Sequence, residues 1–434
     1  MSPLLIGGIG IAALLILLGM GVPIAFSMLI VGLGGLVLGM GDVSAALSLV
    51  QLTPYYSTAN WLYTVVPMFI LMGLFASEAG IIKDLFTMFS AWIGRWPGSL
   101  ALVTIASSAG FAFATGSSIA ATAIIGKTML PEMASRGYDR KLYLGTSVAG
   151  GTLGNLIPPS IGLTLFGIIT ETSIGRLLIG GIVPGIIVTL FFMAVVVISA
   201  LRNPGIAPPT PPVPWRTRIF SLKNVWGMLL LVIFVLGSIY AGIGTVTEAA
   251  AVGAFGAFAI ALAMRRLTWR KFVSAMVETG LTTGVIFLLI AAVSVFSRFL
   301  NFTGVTKALT VLAVGSGLSP IIVLLGVYFV YLFFGCLMDP TSLMLLVTPI
   351  VFPMLIALGF NAVWFGVVTV VLIQIGFLTP PVGLAVYVLK GVTNATLEEI
   401  FSAMWPYLWC WIIALALFTI WPQILLWLPS LMMR

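Results

Sequence analysis

Histidine is absent from the 434 residues, charge is scarce and cysteine nearly so. Without histidine the commonest metal ligand and the ordinary imidazole proton relay are excluded. The two cysteines, Cys336 and Cys410, both lie in apolar runs, so no disulfide framework is expected. Charged residues make up 7% of the chain, where a soluble domain of this length carries about 25%. Lys and Arg number 19 against 11 Asp and Glu. In so apolar a chain that surplus reads as loop charge on one side of a membrane, and no nucleic-acid partner is expected. A basic leader is also missing from Met1-Ser-Pro-Leu-Leu, so the first apolar segment reads as a retained helix and not as a cleaved signal. An intramembrane enzyme would need a nucleophile with its base, or a metal cluster. With no histidine and no clustered carboxylates, that class is set aside.

What the chain has in abundance is hydrocarbon: 61% of its residues are hydrophobic and its mean hydropathy is +1.23. Apolar runs of about 20 residues recur from end to end, the signature of a polytopic all-α membrane protein set in a lipid bilayer. Spans are predicted at 4–19, 24–40, 61–79, 143–169, 177–200, 225–241, 247–264, 272–297, 362–389 and 405–428. Amphipathic stretches at 83–96 and 304–318 are expected to lie in the interface. Residues 202–224 hold six prolines and read as a stiff exposed linker.

Four short polar, helix-breaking runs interrupt this pattern: Thr115-Gly-Ser-Ser118, Gly154-Asn-Leu-Ile-Pro-Pro-Ser160, Met338-Asp-Pro-Thr-Ser342 and Gly376-Phe-Leu-Thr-Pro-Pro-Val-Gly383. Unwound backbone in a bilayer is tolerated only inside protein or beside a water-filled cavity. Matched breaks in two halves of a chain point to a transporter's binding site. The halves do match. At an offset of 222, Pro131 falls on Pro353, Gly137 on Gly359, Pro158 and Pro159 on Pro380 and Pro381, and Pro184 on Pro406. Residues 97–130 and 320–355 read as re-entrant hairpins. The limb 119–130 has 12 residues, only about 18 Å of helix against a hydrocarbon core of about 30 Å. Residues 143–169 and 362–389 read as broken helices.

The basic clusters at 136–141, 202–223 and 265–271 are each separated from the next by two spans, so all three fall on one face, the cytoplasmic one by the positive-inside rule. The second unit then enters upside down, and its uncharged turn at 358–363 is periplasmic. Two units in opposite orientation form the inverted repeat of secondary transporters. At the breaks, hydroxyls, an amide oxygen and unpaired carbonyls are hard donors suited to Na⁺. The first site is expected from Ser117, Ser118 and Asn155 with carbonyls at Ile157 and Pro158. The second is expected from Asp339, Thr341, Ser342 and Thr379 with carbonyls at Gly376 and Pro380. An anionic substrate would lie between them, near Ser118, Asn155, Ser160 and Thr341, facing helix N-termini. Asp339 is equally readable as a cation ligand, a proton site or a helix N-cap.

Ala114-Thr-Gly-Ser-Ser-Ile-Ala-Ala121, Lys127 with Leu-Pro-Glu-Met133, Gly137-Tyr-Asp139 and Ala149-Gly-Gly-Thr-Leu-Gly-Asn-Leu-Ile-Pro-Pro-Ser-Ile161 resemble the large membrane subunit of TRAP (tripartite ATP-independent periplasmic) transporters, of the ion-transporter superfamily. So do Asp339-Pro-Thr-Ser-Leu-Met-Leu345 and Ile375-Gly-Phe-Leu-Thr-Pro-Pro-Val-Gly383, and the resemblance covers nearly the whole chain. It implies a Na⁺-coupled importer of an organic acid, such as sialic acid or a C4-dicarboxylate, in the bacterial inner membrane. It also implies an elevator movement and two partners, a separate small four-helix membrane subunit and a periplasmic substrate-binding protein. Many members carry an Asp shortly after the first tip, where Ala120, Ala121 and Ala123 stand here. On this reading 1–80 and 225–303 are scaffold, 81–201 and 304–434 are the transport units, and 202–224 is the cytoplasmic linker. A stand-alone Na⁺- or H⁺-coupled dicarboxylate symporter of the same superfamily is the alternative.

Overall fold

The computed structural model describes residues 2–208 and 213–432, and every regular element among them is helical. Of the linker prolines, Pro209, Pro211 and Pro212 lie outside the described residues. Seven helices among the described residues are long and apolar enough to cross a membrane by length and composition. Six of these fall on expected spans: Trp61–Glu78, Ile174–Arg202, Trp215–Tyr240, Val246–Ala263, Trp269–Thr303 and Leu397–Ile420. The other expected spans are the 17-residue helices Pro3–Gly19 and Ile24–Met40, each about 25 Å long, and the two broken helices. The protein is a multi-pass membrane protein.

The seventh long helix, Pro340–Ala357, is the second limb of the later hairpin; its first limb is Pro320–Gly335. The earlier hairpin is Ser99–Thr115 followed by Ser118–Ser135. Its second limb therefore has 18 residues and runs to Ser135, five past the expected end. The length argument for re-entry does not hold, since 18 residues span about 27 Å. The reason is Pro131, which sits inside the helix on its exposed side. A proline deprives the preceding turn of one hydrogen bond, but where the freed carbonyl is not sealed in apolar surroundings the helix continues through it. Pro353 and Pro406, also exposed, behave alike, so the final span begins at Leu397 and not near residue 405; Pro184 too lies inside a helix, but buried, so exposure does not account for it. What makes the hairpins re-entrant is where their tips lie: both reach one internal cavity, described below.

The linker is helical at its end, through Trp215–Ser221 and the 3-10 turn Leu222–Val225, because past Pro214 nothing breaks the helix that becomes Trp226–Tyr240. It is also docked. Trp92 Nε1 donates to the Arg218 carbonyl at 3.2 Å, and the Arg218 guanidinium lies 5.0 Å from the Trp215 ring centroid. Upstream, Asp139 N–H donates to the Ile206 carbonyl at 2.8 Å, and the Tyr138 hydroxyl donates to that of Pro208 at 3.4 Å.

These contacts join the three basic clusters. Arg266 pairs with Asp84 at 2.6 Å and also donates to the Ala79 carbonyl; Lys271 pairs with Glu78 at 2.9 Å. The amphipathic helix Ile81–Ile93 thus lies between cluster 265–271 and the linker, and the linker reaches cluster 136–141. All three share one face of the molecule. Helix Leu397–Ile420 acts as a ruler to the other face. Near its start, Glu399 pairs with Arg140 at 3.0 Å; near its end, the Phe418 carbonyl accepts from Trp364 Nε1 at 2.8 Å. The turn 358–363 is therefore separated from the basic face by about 28 Å of helix, as two units inverted relative to each other require.

Candidate binding site at the two hairpin tips

Each tip residue is a helix N-cap, because a short polar side chain is the local acceptor for the unpaired N–H groups of a first turn. Ser117 caps Ser118–Ser135, accepting from Ala120 N–H at 3.5 Å. Asp339 caps Pro340–Ala357, its Oδ1 accepting from the N–H groups of Thr341 and Ser342 at 3.0 Å each. The offset of 222 puts Ser117 on Asp339, so the two caps are equivalent positions carrying a hydroxyl and a carboxylate. Gly116, at φ +59°, turns the chain into the first tip; a Cβ there would stand 2.7 Å from the Pro159 carbonyl oxygen.

The first break is closed on itself. After Arg140–Thr152 and the turn Leu153–Asn155, helix resumes at Ile161–Thr170. The Ser160 hydroxyl donates to the Asn155 carbonyl and accepts from Leu163 N–H at 3.1 Å. Asn155 Oδ1 accepts from Gly162 N–H at 3.0 Å. The tip is stitched to this break: Ile161 N–H donates to the Gly116 carbonyl at 3.1 Å. Ser118 Oγ lies 3.1 Å from both the Thr152 carbonyl oxygen and Gln374 Oε1, the latter in the other repeat.

The second break is built differently. Helix Ala362–Leu378 ends at Thr379, whose hydroxyl donates to the Ile375 carbonyl at 2.6 Å, and helix resumes at Leu384–Gly391. Here Pro380 is half-buried and Pro381 exposed, whereas Pro158, Pro159 and Ser160 are buried. The second hairpin meets this break through glycines. A Cβ on Gly376 would stand 2.6 Å from Gly335 Cα, so the two backbones touch.

A cavity of about 550 Å³ brings the tips together. Ser117, Ser118, Asn155, Asp339, Thr341 and Ser342 all line it, and the opposing wall comes from Ile70 and Gly73 on one helix and Glu278 and Thr282 on another. Glu278 reaches this wall from helix Trp269–Thr303, which starts three residues before the expected span at 272. A second cavity, about 1040 Å³, touches Asp339 and Ser342 from the other side, against the turn that holds Gly21, Val22 and Pro23. Ile157, Pro158 and Ser160 are buried behind the first tip, and neither they nor Gly376, Thr379 and Pro380 line the shared cavity. Among the described residues no three His, Cys, Asp or Glu side chains gather as a metal cluster. Cation ligation here would rest on hydroxyl, amide and carbonyl oxygens around one carboxylate, a donor set that suits a hard ion of low charge.

Sequence reasoning missed Gln374 and Thr152. The signal for the first was present: a lone amide one turn before the end of a 17-residue apolar helix.

The family described as "Tripartite ATP-independent periplasmic transporter, DctM component" matches residues 11–424. The chain belongs to this family. Among relatives, the C4-dicarboxylate TRAP transporter large permease protein DctM of Vibrio cholerae serotype O1 is 33% identical over 437 residues, 95% of each chain. The sialic acid TRAP transporter large permease protein SiaM of the same organism is 30% identical over 416 residues, 96% of each. Among solved structures, the YdaH transporter of Alcanivorax borkumensis superimposes with a TM-score of 0.63 at 15% identity, over 88% of this chain and 90% of that one, a likeness of fold. As a TRAP large permease the chain is a transporter subunit, and the inverted repeat with its hairpins and broken helices is the fold that its sequence predicts.

Proposed function

We propose that the chain is the large permease of a Na⁺-coupled importer of an organic acid. The acid is handed over by a periplasmic substrate-binding protein, and the permease works in the inner membrane together with a small membrane subunit. The observation that carries the coupling is the charge of the shared cavity. Among the described residues its only ionisable lining side chains are Asp339 and Glu278, with no Lys or Arg. The relatives named for C4-dicarboxylates and sialic acid handle carboxylates. A carboxylate entering beside two acids is repelled unless cations enter with it, and the helix N-termini at 118 and 340 supply only partial positive charge. Na⁺ held by Ser117, Ser118 and Asn155 at one tip, and by Asp339, Thr341 and Ser342 at the other, would supply the missing charge. The carbonyls of Ile157, Pro158, Gly376 and Pro380 and the Thr379 hydroxyl stand one layer further out.

The cavity lies toward the basic face. The limb that walls it with Ala123 and Ile124 ends beside cluster 136–141, and Glu278 is two to three turns from cluster 265–271. With that face cytoplasmic, this is an inward-open arrangement. Access from the periplasm then requires the hairpin units, 81–201 and 304–434, to travel past the scaffold of 1–80 and 225–303, an elevator movement.

The test is uptake into proteoliposomes containing the permease, its small subunit and the purified binding protein, against external Na⁺ at fixed pH. Uptake that rises with Na⁺ and with an inside-negative potential supports the reading. Uptake unchanged without Na⁺ that follows a proton gradient makes Asp339 a proton carrier. Uptake without the binding protein indicates a stand-alone symporter.

A further inference from the structure

Position 374 is equivalent to position 152 under the offset of 222 that relates the repeats, and both meet the same atom, Ser118 Oγ. Two equivalent positions can converge on one atom only close to the axis that exchanges the repeats, so this hydroxyl marks where the pseudo-twofold passes. The convergence is one-sided. The residue equivalent to Ser118 is Pro340, which has no hydroxyl to return the contact. Thr152 is tied into its own surroundings, its Oγ1 donating to the Ala149 carbonyl and accepting from Trp411 Nε1 at 3.1 Å. The longer Gln374 alone crosses from the second repeat to the first tip.

Gln374 is completely buried and its Nε2 has no partner among the described residues. A hydroxyl carries one proton, so Ser118 donates to Thr152 or to Gln374, not to both. With the amide turned over, Nε2 donates to Ser118 Oγ, Ser118 donates onward to the Thr152 carbonyl, and Oε1 is left open. Either way one amide atom stays unpaired in the membrane interior. For folding alone an apolar residue of similar size would serve better there.

The geometry points to Gln374 as a positioning residue for the first repeat's tip: from the second repeat it fixes the Ser118 hydroxyl against the Thr152 carbonyl, and so sets the oxygen geometry of the first cation site. This rests on the Na⁺ reading above for its effect on ions, but the tether itself does not. The substitution Gln374→Leu separates tether from packing, because it keeps most of the volume and removes the unpaired amide. In the purified full-length chain, the thermal midpoint in Na⁺-free choline buffer should be equal to or above the unsubstituted chain's. The Na⁺ concentration for half-maximal stabilisation should rise about tenfold, the effect of one hydrogen bond lost at a charged site. Ser118→Ala, which removes the ligand together with its tether, should give at least as large a rise, and Gln374→Leu should add nothing in that background. Separately, a Ser117→Cys label site should react faster with a thiol reagent in the Gln374→Leu background, in the absence of Na⁺.

A purely structural role would lower the midpoint equally with and without Na⁺, and that result overturns the inference. So does an unchanged Na⁺ midpoint together with an unchanged labelling rate. If Na⁺ stabilises no variant while Gln374→Leu still speeds labelling, the tether stands and the Na⁺ reading fails.

Discussion

Asp339 has two roles that a substitution can separate. As an N-cap it accepts two N–H groups; as a charge it is one of two acids in the cavity. Asp339→Asn keeps an accepting oxygen and removes the charge. It should leave the thermal midpoint nearly unchanged while weakening Na⁺-dependent stabilisation. Asp339→Ala removes both, and should in addition destabilise by about 1 kcal/mol, the usual cost of a lost cap. Differential scanning fluorimetry across a Na⁺ series reads both effects. If Asp339→Asn keeps the unsubstituted chain's Na⁺ dependence while Asp339→Ala is destabilised, the carboxylate is only a cap. The candidate residues that were legible in the sequence are those that break helices or cap them, because polarity beside Gly or Pro in an apolar run is conspicuous. Gln374 was not legible in that way. It sits one turn before the end of helix Ala362–Leu378 and neither breaks nor caps it, and only the packing of the two repeats shows what its side chain reaches.

At the scale of elements, the second hairpin and its broken helix touch backbone to backbone at Gly335 and Gly376. Gly376→Ala places a methyl 2.6 Å from Gly335 Cα and 2.7 Å from its carbonyl carbon, where no side chain can yield. The hairpin limb must then shift, at a cost of about 1–3 kcal/mol. Transport should fall at least tenfold, and the thermal midpoint should drop. Gly8→Ala, where nothing lies within 4 Å, is the matched control and should change neither. The repeat itself was readable because prolines mark the same places in both copies. Their meaning was only half readable. Pro158, Pro159, Pro380 and Pro381 stand at real breaks, whereas Pro131, Pro184, Pro353 and Pro406 sit inside continuous helices. A single proline leaves one carbonyl to satisfy, but a Pro-Pro pair removes two successive donors, and the helix stops.

For the whole molecule, the expected orientation has the linker and cluster 265–271 inside and Asn361 outside. Single cysteines at Arg216 and Asn361, probed in intact cells with an impermeant thiol reagent, should label only at Asn361; the reverse pattern would put the basic face outside. The proposed movement has its own test across the shared cavity, which Ile119 of the first hairpin and Thr282 of the opposing wall both line. An Ile119→Cys/Thr282→Cys pair can be bridged by a bifunctional methanethiosulfonate reagent. Bridged, it should abolish uptake while the permease stays assembled with its small subunit, and reduction should restore uptake. Full uptake with the cross-link complete means that the tip does not travel past this wall. The inverted arrangement of the units was legible from the proline repeat, the count of spans and the placement of charge together. The docking of the linker was not, since proline content predicts stiffness and exposure but says nothing of what the flanking Trp, Tyr and Arg side chains hold.

That docking makes the linker a leash. In the proposed movement one end is fastened at Asp139, through the Ile206 carbonyl, and the other at Trp92 on the amphipathic helix, through Trp215 and Arg218; that helix is pinned to the scaffold by the Asp84–Arg266 pair at 2.6 Å, so of the unit 81–201 only the part after it travels. Nine peptide units separate Ile206 from Trp215, and fully extended they reach about 30 Å. Whatever path the unit takes, its separation from that helix cannot exceed this length while both ends hold. A rise of half the hydrocarbon core, about 15 Å, fits well inside it. A leash shortened by six residues reaches only about 10 Å, and would stop such a rise before the site changed sides.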